Sequence, residues 1–110
     1  MLGACAGQNY FAQPPAQLVD IHRAAKNRIT YNRYFKRDWR YIPEGKQAEG
    51  NCAVFAFTVW LDAIKAGYTP EKIQICKLPN GEGHAYTRVQ GWDLDVRYKY
   101  PIQSTEQDCK

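Results

Sequence analysis

The tripeptide Gly50-Asn51-Cys52 stands just before a run of mostly apolar residues that lasts to Ala66. A cysteine at the first position of a helix meets unpaired backbone N–H groups and the positive end of the helix dipole, which favour thiolate over thiol. The same N–H groups can donate to an oxyanion forming on an attacked carbonyl. A cysteine nucleophile also needs a base, and the base an orienting group. The chain has two histidines. His22 falls four residues after Leu18, beside the apolar stripe of an earlier helix, and reads as a packing residue with one hydrogen bond. His84 follows Gly81-Glu82-Gly83, opens a strand and is the candidate base.

The orienting group follows from register. If Gln90-Gly91 is a two-residue hairpin turn, Val89 lies opposite Trp92, Thr87 opposite Leu94 and Tyr86 opposite Asp95. His84, Tyr86 and Arg88 then share a face with Asp93, Asp95 and Arg97. Asp95 is the diagonal neighbour of His84 and Asp93 lies one residue pair further off, so register selects Asp95. The alternative for Asp95 is an ion pair with Arg88 or Arg97. Gln47 and Trp39 are additional oxyanion-donor candidates, with a solvated loop and core packing as their plainer readings. Cys76 shares the His84 face if Leu78 pairs with His84, but a buried strand cysteine is inert.

The elements that must hold these groups are readable from periodicity and punctuation. After Pro14-Pro15, Leu18, Ile21, Ala25 and Ile29 mark one face of a helix over 16–28. Residues 30–50 read as a structured loop or one short extra element. Asn51 is a good N-cap, residues 53–66 are apolar almost all round, and Gly67 suits the position after the helix end. Strands are expected over 73–78, 84–89 and 92–98, the last ending before Pro101. The expected fold class is α+β, with a buried cysteine helix packed on a small antiparallel sheet. Residues 1–15 are expected to be a flexible N-terminus, 16–100 the domain and 101–110 a C-terminal tail. A clipped export signal is the alternative for Met1-Leu2-Gly3-Ala4-Cys5.

Composition sets limits on function. A chain of 110 residues, 45% hydrophobic and 24% charged, is one folded domain rather than a disordered or fibrous chain. The longest nearly apolar stretch, Cys52 to Leu61, is far short of the ~18 residues of a membrane span. Four cysteines without a C-x-x-C pair or Cys/His spacing give no zinc signature. Cys5 and Cys109 lie near opposite ends and are a candidate disulfide pair, which spacing alone leaves open. Residues 21–46 carry eight basic residues against Asp38 and Glu44, a local charge of +6. They are interleaved with Tyr31, Tyr34, Phe35, Trp39 and Tyr41, the mixture found on single-stranded nucleic-acid platforms. No RNA or DNA motif is present, and a nucleic-acid partner is not the favoured reading. A non-catalytic module binding an acidic protein or nucleic acid through segment 23–41 is the alternative to an enzyme.

Trp39, Pro43-Glu44-Gly45, Gly50-Asn51-Cys52, Leu61, Gly67-Tyr68, Gly83-His84-Ala85 and Leu94-Asp95 together resemble the bacterial transglutaminase-like cysteine proteinases, the LapG-like family. The resemblance covers about residues 18 to 98. It implies a papain-like or transglutaminase-like core and a catalytic triad of Cys52, His84 and Asp95. The activity implied is a thiol hydrolase, a cysteine peptidase or amidase that opens peptide or amide bonds through an acyl-enzyme. The partner implied is a protein or peptide substrate, in a periplasmic, exported or phage-associated setting. One departure matters. Members of the family commonly carry acidic residues around the cysteine, which in LapG-like proteins serve calcium binding, whereas here the neighbours are Asn51, Ala53 and Val54. Calcium needs several oxygen ligands, so no calcium and no other cofactor is expected.

Overall fold

Pro15 sets the start of the first helix, α1 (Ala16–Arg28), its carbonyl accepting the N–H groups of Leu18 and Val19 at 3.0 and 3.1 Å. The structure, a computed structural model, describes residues 12–36 and 38–110. The expected flexible segment 1–15 and the export-signal alternative therefore lie largely outside the described residues. The buried face of α1 is Leu18, His22, Ala25 and Arg28. His22 is a packing residue as expected: fully buried, its Nε2–H donates to the Tyr98 carbonyl at 2.8 Å, and its ring meets Phe55 edge-on. Arg28 donates from Nε and Nη2 to the Ile42 carbonyl and from Nη2 to Asp62 at 2.9 Å, pinning the following loop to the second helix.

Residues 30–50 are organised by a two-stranded parallel sheet, β1 (Ile29–Tyr31) with β2 (Ala48–Gly50), in which Tyr31 pairs with Gly50. Gly50 is a steric necessity, since a Cβ there would stand 2.6 Å from Cβ of Val54. The second helix, α2 (Cys52–Lys65), starts where the sequence places it. The Asn51 side chain accepts the Ala53 N–H at 2.9 Å. Gly67, at φ +97°, ends the helix; its N–H bonds the Ile64 carbonyl and that of Tyr68 bonds the Ala63 carbonyl, the paired pattern of a left-handed helix stop.

α2 lies across a four-stranded antiparallel sheet of order β3-β4-β5-β6. Its strands are β3 (Gln74–Lys77), β4 (Gly83–Val89), β5 (Trp92–Leu94) and β6 (Ile102–Gln103). Small residues Ala53 and Ala56 bring α2 close to the sheet, and Thr87 Oγ1 on β4 donates to the Ala56 carbonyl at 2.7 Å. Val54, Phe55, Val59, Val89 and Leu94 fill the layer between, all fully buried with Leu18. The molecule is thus an α+β domain of two helices and two small sheets. Among the described residues no helix is long and apolar enough to cross a membrane.

Three features depart from the sequence-based expectation. The strand expected over 92–98 stops at Leu94, because Asp95 accepts the Arg97 N–H and turns the chain. Residues 101–110 are no loose tail: β6 pairs with β5, a 3-10 turn spans Ser104–Glu106, and Lys110 exchanges backbone hydrogen bonds with Lys77. The pair Cys5–Cys109 is replaced by a disulfide between Cys76 and Cys109, whose Cα atoms are 5.6 Å apart. Opening this cross-link, whose sequence separation is 33, frees on the order of 3–4 kcal/mol of chain entropy in the unfolded state. Cys109→Ser is therefore expected to lower Tm by roughly 10–15 °C, read by differential scanning calorimetry; an unchanged Tm would show that the bond does not form in solution.

Candidate active site

Gln90 and Gly91 both have positive φ, 52° and 82°, and form the tight turn between β4 and β5. The register is the expected one: Val89 opposite Trp92, Arg88 opposite Asp93, Thr87 opposite Leu94. On the other side Cys76, not Leu78, lies opposite His84, and its sulfur is tied up in the disulfide.

This register brings Asp95 to His84. Nε2 of His84 and Oδ1 of Asp95 are 2.9 Å apart, with the imidazole 3% exposed and the carboxylate fully buried. The Cys52 side chain lines the same cleft as this imidazole and is near enough to help raise its pKa. Since Nε2 is held by Asp95, Nδ1 is the nitrogen left for sulfur. Cys52, His84 and Asp95 are thus brought together, one residue from the start of α2, one from β4 and one from the turn after β5.

Burial of the His84 ring works against its protonation. The hydrogen bonds and charges of Asp95 and Cys52 outweigh it and push the pKa from 6.5 up to about 9. For Asp95, burial pushes upward, but the His84 and Arg97 hydrogen bonds prevail and bring the carboxyl down to about 2. The alternatives left open for Asp95 are resolved without conflict, since Arg97 grips it as well. Arg97 Nη2 is 2.9 Å from Oδ2 and Nε 3.2 Å from Oδ1. Asp93 is instead the partner of Arg88 through both carboxylate oxygens, at 2.7 and 3.2 Å.

Cys52 and His84 open into a cleft of about 250 Å³ walled by Tyr31, Tyr34 and Leu78. Arg33 and Glu82 pair across its rim. Tyr31 was not singled out by sequence, and the reason is topological: parallel pairing to Gly50 carries it to within two residues of Cys52. Burial, then the Cys52 charge, raise its pKa, so the side chain that lines the cleft is a neutral phenol near neutral pH. The two donors suggested by sequence lie elsewhere. Gln47 is exposed ahead of β2. Trp39, 42% exposed, lines a separate apolar groove with Phe57, Ile73 and Ile75.

Several cations of the basic segment are paired, although only Arg28 among them is buried. Arg23 holds Asp20, Lys26 the Val96 carbonyl, Arg28 Asp62, Arg33 Glu82 and Arg40 Asp38. Among the described residues no cluster of three His, Cys, Asp or Glu side chains is placed to hold a metal ion.

The His84 titration has a definite sign. A histidine whose pKa is raised on folding adds stability in full below 6.5 and loses it as pH rises through about 9. His22 acts oppositely. Burial lowers its pKa, so its contribution is present above 6.5 and is lost as pH falls below that value. Proton NMR titration should show one imidazole ionising near 9 and the other below 6.5. Cys52→Ala should move the first downward by removing its sulfur partner; a His84 that titrates at 6.5 in the native chain would contradict the geometry. A scan of the chain against protein-family models finds no match, and neither does a search of curated proteins.

Proposed function

We propose that the chain is a thiol hydrolase of peptide or amide bonds, working through a Cys52, His84, Asp95 triad on a transglutaminase-like or papain-like core. The observation that carries this reading is the buried imidazole bonded to the Asp95 carboxylate and lining one cleft with the Cys52 side chain. Such an arrangement stores the proton of the nucleophile on its base before substrate arrives. Cys52 Sγ adds to the substrate carbonyl carbon, and the π pair moves to oxygen, where N–H groups at the start of α2 and the Tyr31 hydroxyl can donate to it. Collapse of this adduct breaks the C–N bond, the amine leaving with the proton from His84. Water, deprotonated by His84, then opens the thioester and restores the thiolate. Asp95 keeps a proton on Nε2 throughout, so that Nδ1 faces the sulfur.

The resemblance in residue order to transglutaminase-like cysteine proteinases supports the same reading, with a protein or peptide as substrate. Incubation with a panel of peptide 4-nitroanilides, followed by intact-mass spectrometry, tests it. Wild-type protein is expected to release nitroaniline and to carry a transient acyl adduct on Cys52, both lost in Cys52→Ala. Release that persists in Cys52→Ala would refute the proposal.

A further inference from the structure

The segment after β5 returns to the triad from behind. Gln107 Oε1 accepts from Arg97 Nη2 at 2.7 Å and from the Cys109 N–H at 3.1 Å. Because both partners are donors, the amide orientation is settled, and Nε2 must point the other way. There it donates to Asp93 Oδ2 at 3.0 Å and, more weakly, to Asp95 Oδ2 at 3.4 Å. Asp108 takes the second arm of Arg97 at 3.0 Å, and Ser104 Oγ donates to Asp93 at 2.9 Å. The strap that carries these groups is fastened at its far end by the Cys76–Cys109 disulfide and the Lys77–Lys110 backbone pair. Cys76 sits directly opposite His84. One covalent bond therefore holds the strap to the strand that neighbours the base.

From this geometry we infer that Gln107 is a positioning residue for Asp95 and Arg97, and that the Cys76–Cys109 disulfide keeps it in place, so that the triad depends on an oxidised strap and a reduced Cys52 at the same time. The inference rests on the thiol-hydrolase reading and adds a redox dependence to it. Reduction by a dithiol breaks one S–S bond. Two electrons and two protons convert Cys76 and Cys109 to thiols while the dithiol closes to its own cyclic disulfide. The strap is then held only by β6 and hydrogen bonds, and the Asp95 carboxylate loses part of what fixes its angle to His84. Small losses of alignment at a triad cost up to about a hundredfold in rate.

Alkylation of Cys52 by iodoacetamide at pH 6, with the His84 proton NMR titration alongside, tests the inference without a substrate. Three chains are compared: wild type, Gln107→Ala and Cys76→Ser/Cys109→Ser. Gln107→Ala keeps the disulfide and covers the case in which the double variant does not fold, which a thermal melt reports. Both variants are expected to label Cys52 about tenfold more slowly than wild type and to titrate His84 at lower pH, with Gln107→Glu restoring neither because it faces two carboxylates. Fast labelling and a raised His84 in wild type, unchanged in folded Gln107→Ala, would overturn the role of the strap and leave the triad standing. Slow labelling and an ordinary His84 in wild type itself would instead overturn the triad.

Discussion

Asp95→Asn is expected to lower kcat/KM by about 10⁴, the cost of the equivalent change in a serine-protease triad. The neighbours of Asp95 make the direction of failure specific. Arg97 donates to both oxygens, so an asparagine NH₂ meets a donor whichever way it turns, and placed at the Oδ1 position it meets Nε2 of His84. Nε2 must then be the bare nitrogen, and the proton moves to Nδ1, against the sulfur, where it cannot accept the thiol proton. The same substitution removes the charge opposite Arg97, but Arg97 is 24% exposed and keeps Asp108 and Gln107. The stability loss should therefore stay at roughly 1–3 kcal/mol. Asp93→Asn, which weakens the Arg88 pair, should cost similar stability and less than about tenfold in rate. The comparison requires an amide substrate that Cys52→Ala cannot turn over; equal rate losses in the two asparagine variants would show that Asp95 has no special relation to His84.

The second large effect is on Cys52 itself. The sulfur helps to raise the His84 pKa, and linkage is reciprocal: the imidazolium must favour the thiolate by the same free energy. An unperturbed thiol near 8.5 is about 0.3% ionised at pH 6, so a Cys52 held mainly as thiolate should outpace it by about 100-fold or more in alkylation. Peptide mapping after a short iodoacetamide pulse at pH 6, with glutathione in the tube as an ordinary thiol, gives the ratio. Cys76 and Cys109 are disulfide-bonded and should remain unlabelled. Parity between Cys52 and glutathione would remove the case for an activated nucleophile.

What could be read in advance was local. Asn51 and Gly67 mark the ends of α2 through chemistry that needs no tertiary context, and Gln90-Gly91 determines a turn length, hence a register, hence Asp95 rather than Asp93. What could not be read was set by long-range packing. Residues 101–110 have no strand period, and β6 exists because its two residues find the edge of β5. Cys109 finds Cys76 because the strap passes β3, and four cysteines offer six possible pairs that spacing does not rank. Tyr31 reaches the cleft only through a parallel pairing across the loop between β1 and β2. Trp39 and Gln47 were candidates by residue type alone, and nothing in a sequence says which way a loop points them.

The tight turn at Gln90-Gly91 also bears on how this chain can vary over generations. Side chains alternate across a strand, so adding or deleting one residue there would slide β5 by one position and send Asp95 to the opposite face of the sheet from His84. The turn at Asn80-Gly81 acts on a different pairing: His84 lies after it on β4 and keeps its register with β5, but a one-residue change there would slide β3 and carry Cys76 away from Cys109. A length change at 90–91 should accordingly act on Asp95 directly and one at residues 79–82 through the Cys76–Cys109 bond, a contrast that single-residue insertion libraries at the two turns, selected for folding and for Cys52 reactivity with and without a dithiol, would reveal.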